Sequence, residues 1–344
     1  MPKQLLRFAI VLPAIACTDP QTRIVGEFRW SRDTVTAAPQ TLHSISASDD
    51  STPEIIGYPL HVRADDSLIF VADRSTDRVA VLDGRGRIIR WIGAKGRGPG
   101  EILGIAHLAV RQNTLLVAEA LNGRVSQFTP DGVFIRTYLS PFAAGAIDAT
   151  RASVFAAARS PSHYAMRLEQ ASEPRPVFRR AGLARHEVRE RWSSLPGHDL
   201  VAADSATLWI LDQGSAALCA FHPRRATPSC RQLPGDLVER LRRYRDERVA
   251  AFERAAPVRI QAAPLAKDMV LVGTHIALLL PLPDLPVVII DIADGEVTPV
   301  IHIGDSLPAW AQRATSFAWD DGSFILVSDE GIGRLQVPRL RTLY

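Results

Sequence analysis

Short apolar runs that end on an acid punctuate this chain: Leu68-Ile-Phe-Val-Ala-Asp73, Leu115-Leu-Val-Ala-Glu119, Leu208-Trp-Ile-Leu-Asp212 and Phe324-Ile-Leu-Val-Ser-Asp329. Each run has the length of a β-strand and is followed within a few residues by a polar turn and another apolar run, the pattern of short strands rather than long helices. The offset of 46 from Asp73 to Glu119 also superimposes Arg78-Val79 on Arg124-Val125, Gly86 on Gly132 and His61 on His107, without a gap. Asp212 falls about three such periods after Asp73, and beyond Asp329 the pair Arg334-Leu335 again takes the place of Arg78-Val79. A repeat of roughly 40 to 50 residues with several short strands per unit predicts a β-propeller. Residues 55–344 accommodate about six units, so the expected fold is all-β, a six-bladed ring with one helical insertion.

The units are not equally legible. The first two, about 55–92 and 104–139, are the clearest, with Asp-Gly or Gly-x-Gly turns between alternating runs. The third, about 146–180, lacks the acidic marker, and the fourth to sixth fall near 198–233, 267–303 and 315–344. The sixth runs out of chain before a full blade is built. Part of the 18–54 segment, in which Arg23-Ile-Val-Gly-Glu-Phe-Arg-Trp30 alternates like a strand, is therefore expected to supply its outermost strand and close the ring. One stretch breaks the β rhythm: around 235–256 the sequence predicts a helix with Asp236 as N-cap, Glu239 completing a capping box, and an apolar stripe of Leu237, Val238, Leu241, Tyr244, Val249 and Phe252.

The first residues follow another logic. Lys3 and Arg7 precede the apolar run 8–16, too short to span a bilayer comfortably, and the run stops at Ala14-Ile15-Ala16-Cys17. This resembles the leader of bacterial lipoproteins, which implies cleavage before Cys17, lipidation of that cysteine and a tether through acyl chains. Thr18 after the cysteine resembles the outer-membrane sorting pattern, so residues 1–17 are read as a lipoprotein-type signal and the protein as exported, an outer-membrane lipoprotein facing the periplasm or the cell surface. Cys219 and Cys230 remain in an oxidising setting. A hairpin centred on Arg224-Arg225 puts them opposite each other, either as a disulfide stapling a blade's outer edge or as two free thiols.

Composition adds little about partners. The 40 Lys and Arg against 37 Asp and Glu leave a net charge of +3, and the arginines of the 235–256 helix are interleaved with acids, which argues against nucleic acid.

Local chemistry is sparse. The string Ile92-Gly-Ala-Lys-Gly-Arg-Gly-Pro-Gly-Glu-Ile102 is glycine-rich and cationic, yet it lacks the Gly-Lys-Ser/Thr ending of a P-loop and opens no helix. Following the Val-Ala-Asp of its blade, this linker resembles the six-bladed β-propeller lipoproteins related to NHL-repeat proteins. That resemblance implies a ring scaffold that binds ligands or proteins outside the cytoplasm, for most members with no known reaction. Asp73, Glu119, Asp212 and Asp329 are expected to accept bonds from turn amides and so to serve the repeat. His61 and His107, at equivalent places on strands that should line the central channel, are the candidate metal ligands, with His198 or His275 as a third. No serine nucleophile elbow is present, and neither Cys219 nor Cys230 sits in a catalytic Cys-His setting.

The sequence thus points to a lipid-anchored, non-enzymatic scaffold without a cofactor, presenting the ring to a protein, peptide or glycan partner. The alternative is a metal-dependent lyase or lactonase holding Zn or Ca in the channel.

Overall fold

The computed structural model describes residues 23–44, 56–65, 68–140, 146–160, 163–169, 174–179, 199–222, 228–255, 264–302 and 307–337. The signal segment with Cys17, and His198, lie outside the described residues. Within them the chain is a six-bladed β-propeller. Blade 1 is the four-stranded antiparallel sheet between Pro59 and Ile92, blade 2 that between Ile105 and Leu139, and blade 3 that between Ile147 and Arg179. Blades 4, 5 and 6 begin with the strands Leu200–Ala203, Asp268–Val272 and Ser316–Asp320. These innermost strands touch in turn around the ring, that of blade 6 against that of blade 1, so the circle is closed. Alternation explains the packing: residues such as Phe70, Leu108, Phe128, Phe317 and Phe324 are fully buried between neighbouring blades.

The 46-residue offset is visible in the ladders. Asp73 pairs with Arg78 as Glu119 pairs with Arg124, and both first strands carry a bulge just before their histidine.

The N-terminal segment does more than close the ring. The closing strand is Val35–Ser44, antiparallel to Gly331–Gln336 of blade 6 and at its start parallel to Glu296–His302 of blade 5. Arg23–Glu27 runs parallel to Ser229–Gln232, the fourth strand of blade 4, and Arg29–Trp30 parallel to Glu296–His302. The segment is a belt over the rims of three successive blades, covering edges that would otherwise be free to pair with another chain.

The insertion forms helix α1, Gly235–Ala255. It starts earlier than the capping-box reading requires. The Pro234 carbonyl accepts the Val238 N–H, so Asp236 is not the N-cap but lies inside the first turn, where its carboxylate accepts the Trp30 indole N–H at 2.7 Å and 2.8 Å. Glu27 accepts the Gly235 N–H, so the belt holds the helix N-terminus twice. Leu237, Val238 and Leu241 are buried with Phe28, Leu282 and Leu285 against blades 4 and 5. Each such side chain contributes roughly 1.5–3 kcal/mol on burial, enough to fix α1 on the ring face. Glu239 and Arg243 approach to 3.4 Å on its exposed side.

Cys219 and Cys230 face each other across the third and fourth strands of blade 4 and are joined by a disulfide. The bridge is not at an outer edge. Arg23–Glu27 lies beyond it, and both cysteines are fully buried against blade 3.

Candidate functional site

The repeated acids act as turn anchors at three places and not at the fourth. Buried Asp73 accepts the Tyr58 and Ser75 N–H groups and the Ser75 and Thr76 hydroxyls. Glu119 accepts the Leu103 N–H, Asn122 Nδ2, Arg124 Nε and the Ser126 hydroxyl, and Asp212 accepts the Gly214 and Ser215 N–H groups. Asp329 breaks the series: it is exposed, lies 3.6 Å from Arg313, and the amide of its turn, that of Glu330, donates to Ser328 instead. The glycine-rich linker is likewise structural. Glu101 folds back to accept the Gly98 N–H, while Arg124 takes the carbonyls of Arg97, Gly98 and Glu101, so the loop is closed on its own carboxylate.

The axis of the ring is where the ionisable side chains meet. His61 and His107 stack tilted with ring centroids 3.8 Å apart, and Asp268 on the first strand of blade 5 joins them. His275 does not; it lies on the second strand of blade 5 and pairs with Asp291 at 3.2 Å. Ligand atoms of His61, His107 and Asp268 all fall within 4.8 Å of one another, so distance alone admits a metal ion.

The surroundings of these atoms do not fit one. A metal-bound imidazole normally donates its second N–H to an acceptor. Here the second nitrogens face donors: the Leu108 N–H points at His61 Nδ1 (3.3 Å) and the Ile147 N–H at His107 Nδ1 (3.4 Å). The Leu108 bond leaves the His61 proton on Nε2, 3.5 Å from Asp268 Oδ2, whereas both nitrogens of His107 face donors, the Ile147 N–H and the Arg63 guanidinium. Both oxygens of Asp268 are already engaged. Arg63 binds them bidentately at 2.9 Å and 3.0 Å, with further bonds to Oδ2 from Ser316 Oγ (2.5 Å) and the Phe317 N–H (3.1 Å) and to Oδ1 from the Met269 N–H (2.8 Å). The same guanidinium lies 3.5 Å from His107 Nε2 and so occupies the space with a fixed positive charge.

Electrostatics agree with this packing. Burial, reinforced by Arg63, lowers His61 to about 4, and burial with the neighbouring His61 and Arg63 takes His107 well below the usual imidazole range. Burial opposes charge on Asp268 too, but Arg63 and the His61 contact outweigh it and hold the carboxyl well below its usual range. The axis therefore holds a carboxylate, a guanidinium and two neutral imidazoles.

A second arrangement of the same kind stands beside the first. Arg111 of blade 2 donates to Asp148 of blade 3 at 2.8 Å and to the carbonyl of Ala203 in blade 4, while Asp148 accepts the Ala203 N–H. In the first clasp Arg63 of blade 1 donates to the Phe317 carbonyl in blade 6 while Asp268 of blade 5 accepts the Phe317 N–H. Each clasp joins three blades by gripping both backbone groups of one residue, and the histidine pair connects the two clasps. Arg63, Arg111, Asp148 and Asp268 escaped the repeat comparison because they do not occupy equivalent positions. The available signals were His61 and Arg63 two apart on one strand face, and an Asp opening the apolar Met269-Val-Leu-Val run.

Beyond the clasp, at the end of the axis where the inner strands start, a cleft of about 630 Å³ opens between α1 and the ring. Leu60, Lys267 and Thr315, each one residue before a clasp member or its histidine, lie on its floor side, with Tyr244, Arg245 and Arg248 from the helix. Lys267 donates to the Ala314 carbonyl at 2.7 Å, and burial together with Arg248 lowers it to about 8.

Comparison with known proteins agrees with the architecture. A family model described as a six-bladed β-propeller matches residues 51–152. The described residues share that fold, a six-bladed ring. A Bacteroides fragilis protein described as exported superimposes with a TM-score of 0.53 at 9% identity, over 91% of this chain and 99% of that one. Virginiamycin B lyase from Staphylococcus aureus gives 0.53 at 9% identity over 87% and 99%, and its catalytically inactive form with quinupristin gives 0.52 at 10% identity over the same shares. At such identities the likeness is one of fold. No curated protein matches the chain.

Proposed function

We propose that this chain is an exported, lipid-anchored propeller that performs no reaction and presents the helix-bearing face of its ring to a protein, peptide or glycan partner at the cell envelope. The observation that carries this reading is the closed axis: the residues a channel enzyme would need for a metal are committed to holding blades together. A lyase or lactonase of the metal-dependent kind needs several bare donors with open coordination positions, whereas His61 Nε2 faces Asp268, His107 Nε2 is covered by the Arg63 guanidinium and both Asp268 oxygens are engaged. The anchor rests on the lipoprotein-like leader ending at Cys17. Two measurements test the proposal. Mature protein without a histidine tag should contain no stoichiometric zinc or calcium and should keep its Tm in EDTA; one equivalent of metal that is lost in His107→Ala would replace the scaffold with the channel enzyme. Cys17→Ser should move the protein from the membrane fraction to the soluble one, and unchanged membrane retention would remove the anchor from the reading.

A further inference from the structure

The cleft under α1 has an unusual charge balance for a surface otherwise near neutrality. Four cations, Arg245, Arg248, Lys267 and Arg313, line it against a single acid, Asp329. Two of the four are already answered: Arg245 pairs with Asp246 at 2.6 Å, and Arg313 with Glu330 at 2.8 Å. Lys267 and Arg248 are not answered by any carboxylate among the described residues. Lys267 is half-buried and donates to the neutral Ala314 carbonyl, and burial together with the like charge of Arg248 lowers it to about 8. A partly desolvated ammonium sharing a cleft with a guanidinium is unfavourable for the fold alone and favourable for an incoming oxyanion.

The remaining walls narrow the chemistry. Pro59, Pro264, Pro281 and Pro283 are rigid and apolar, and Tyr58 and Tyr244 offer aromatic faces. Neutral hydrogen-bonding side chains, which a sugar's many hydroxyls would need, are Gln312, Thr315 and the two tyrosine hydroxyls, whereas four of the lining side chains are cations. Arginine-bearing grooves with apolar walls suit acidic peptide segments, and about 630 Å³ lies within the range of roughly 300–1,000 Å³ typical of ligand clefts.

We infer that the cleft between α1 and the ring face is the binding site for a short acidic peptide segment, whose carboxylates are received by Lys267 and Arg248 while its backbone and apolar side chains lie against the tyrosines and prolines. This rests on the scaffold reading and narrows it to one partner class.

The experiment is fluorescence polarisation with the full mature chain, using a labelled pentapeptide rich in glutamate, its glutamine counterpart and an oligogalacturonate of similar length. The glutamate peptide should bind, and the glutamine peptide should bind at least about tenfold more weakly, the effect of losing one good charge pair. Arg248→Glu and Lys267→Gln should each weaken the glutamate peptide by about the same factor, whereas Asp329→Asn should tighten it. Arg248 and Asp329 are exposed, so their variants test binding without threatening the fold. Arg151→Glu, in a different cleft between blades 2 and 3, changes net charge equally and should leave binding unchanged. Equal affinity for the glutamine peptide, insensitivity to Arg248→Glu, or an equal effect of Arg151→Glu overturns the inference. Binding of the galacturonate or the neutral peptide in place of the acidic one overturns it too, while leaving the scaffold reading standing.

Discussion

Removing the charge from Asp268 should unfasten the ring from its centre. The carboxylate receives five close bonds, two from Arg63, one from the Ser316 hydroxyl and two from backbone N–H groups, and it is almost wholly buried. Asp268→Asn leaves the Arg63 guanidinium in the interior without a counter-charge and turns one side of the acceptor into a donor facing other donors. Breaking a buried pair in this way costs roughly 3–5 kcal/mol. Arg63→Met strands the carboxylate instead and should cost a comparable amount, tempered by the three bonds that Asp268 keeps. In the double variant neither charge is left alone, so its loss should resemble that of one single variant, giving a coupling of at least ~2 kcal/mol. Urea unfolding followed by tryptophan fluorescence reports these losses as shifts of the midpoint at constant slope. Single variants within about 0.5 kcal/mol of the parent, or strict additivity in the double, would show that the axis is a hydrated polar channel and that the clasp holds nothing.

Stability should fall as pH drops from about 6.5 towards about 4, because the unfolded chain protonates its histidines near 6.5 while folded His61 stays neutral down to about 4; that gap corresponds to on the order of 3 kcal/mol, with His107 acting in the same direction. Denaturation at several pH values checks this, and a His61→Gln variant whose stability kept the full parental slope would show that His61 is not its source. Replacing both Cys219 and Cys230 by alanine should cost roughly 2–3 kcal/mol, as expected for a short closed loop, and thiol titration of the unreduced ring should find neither sulfhydryl free. Gly333→Ala should destabilise by roughly 1–3 kcal/mol, since a Cβ there would stand 2.3 Å from the Trp310 ring, which is itself packed in the core; a variant as stable as the parent would mean that the tryptophan can yield.

What could be read from the sequence was what repeats. The acid-ended strands, the turn glycines and the histidine pair recur at 46 residues because each blade solves the same local problem, and the ladders of blades 1 and 2 share that register. Features that occur once, or that join unlike positions, were not visible in this way. Val35–Ser44 carries Pro39 in its middle and mixes small and polar residues, so nothing in its alternation announces a strand, although it closes the ring. Asp329 matches the repeat in sequence but not in role, because Ser328 beside it already supplies the acceptor its turn requires. Arg63 and Asp268 are 205 residues apart and come from non-adjacent blades. No periodic comparison pairs them, and only closure of the circle brings them together.

Closure is secured at two radii, and this bears on where function can reside. At the rim, the N-terminal belt spans blades 4, 5 and 6. At the axis, one clasp takes blades 1, 5 and 6 and the other blades 2, 3 and 4, so every blade is held at least once near the centre. Among the described residues, blades 1 to 3 carry no belt strand and are held by the inner contacts and by the apolar packing between neighbouring blades. A reaction at the axis would require Arg63 or Asp268 to exchange its partner for a substrate, and each exchange would release the joint on which that side of the ring relies. The helix-roofed cleft carries no such obligation: Lys267 and Arg248 can take up and give back an anionic partner while every clasp bond stays in place.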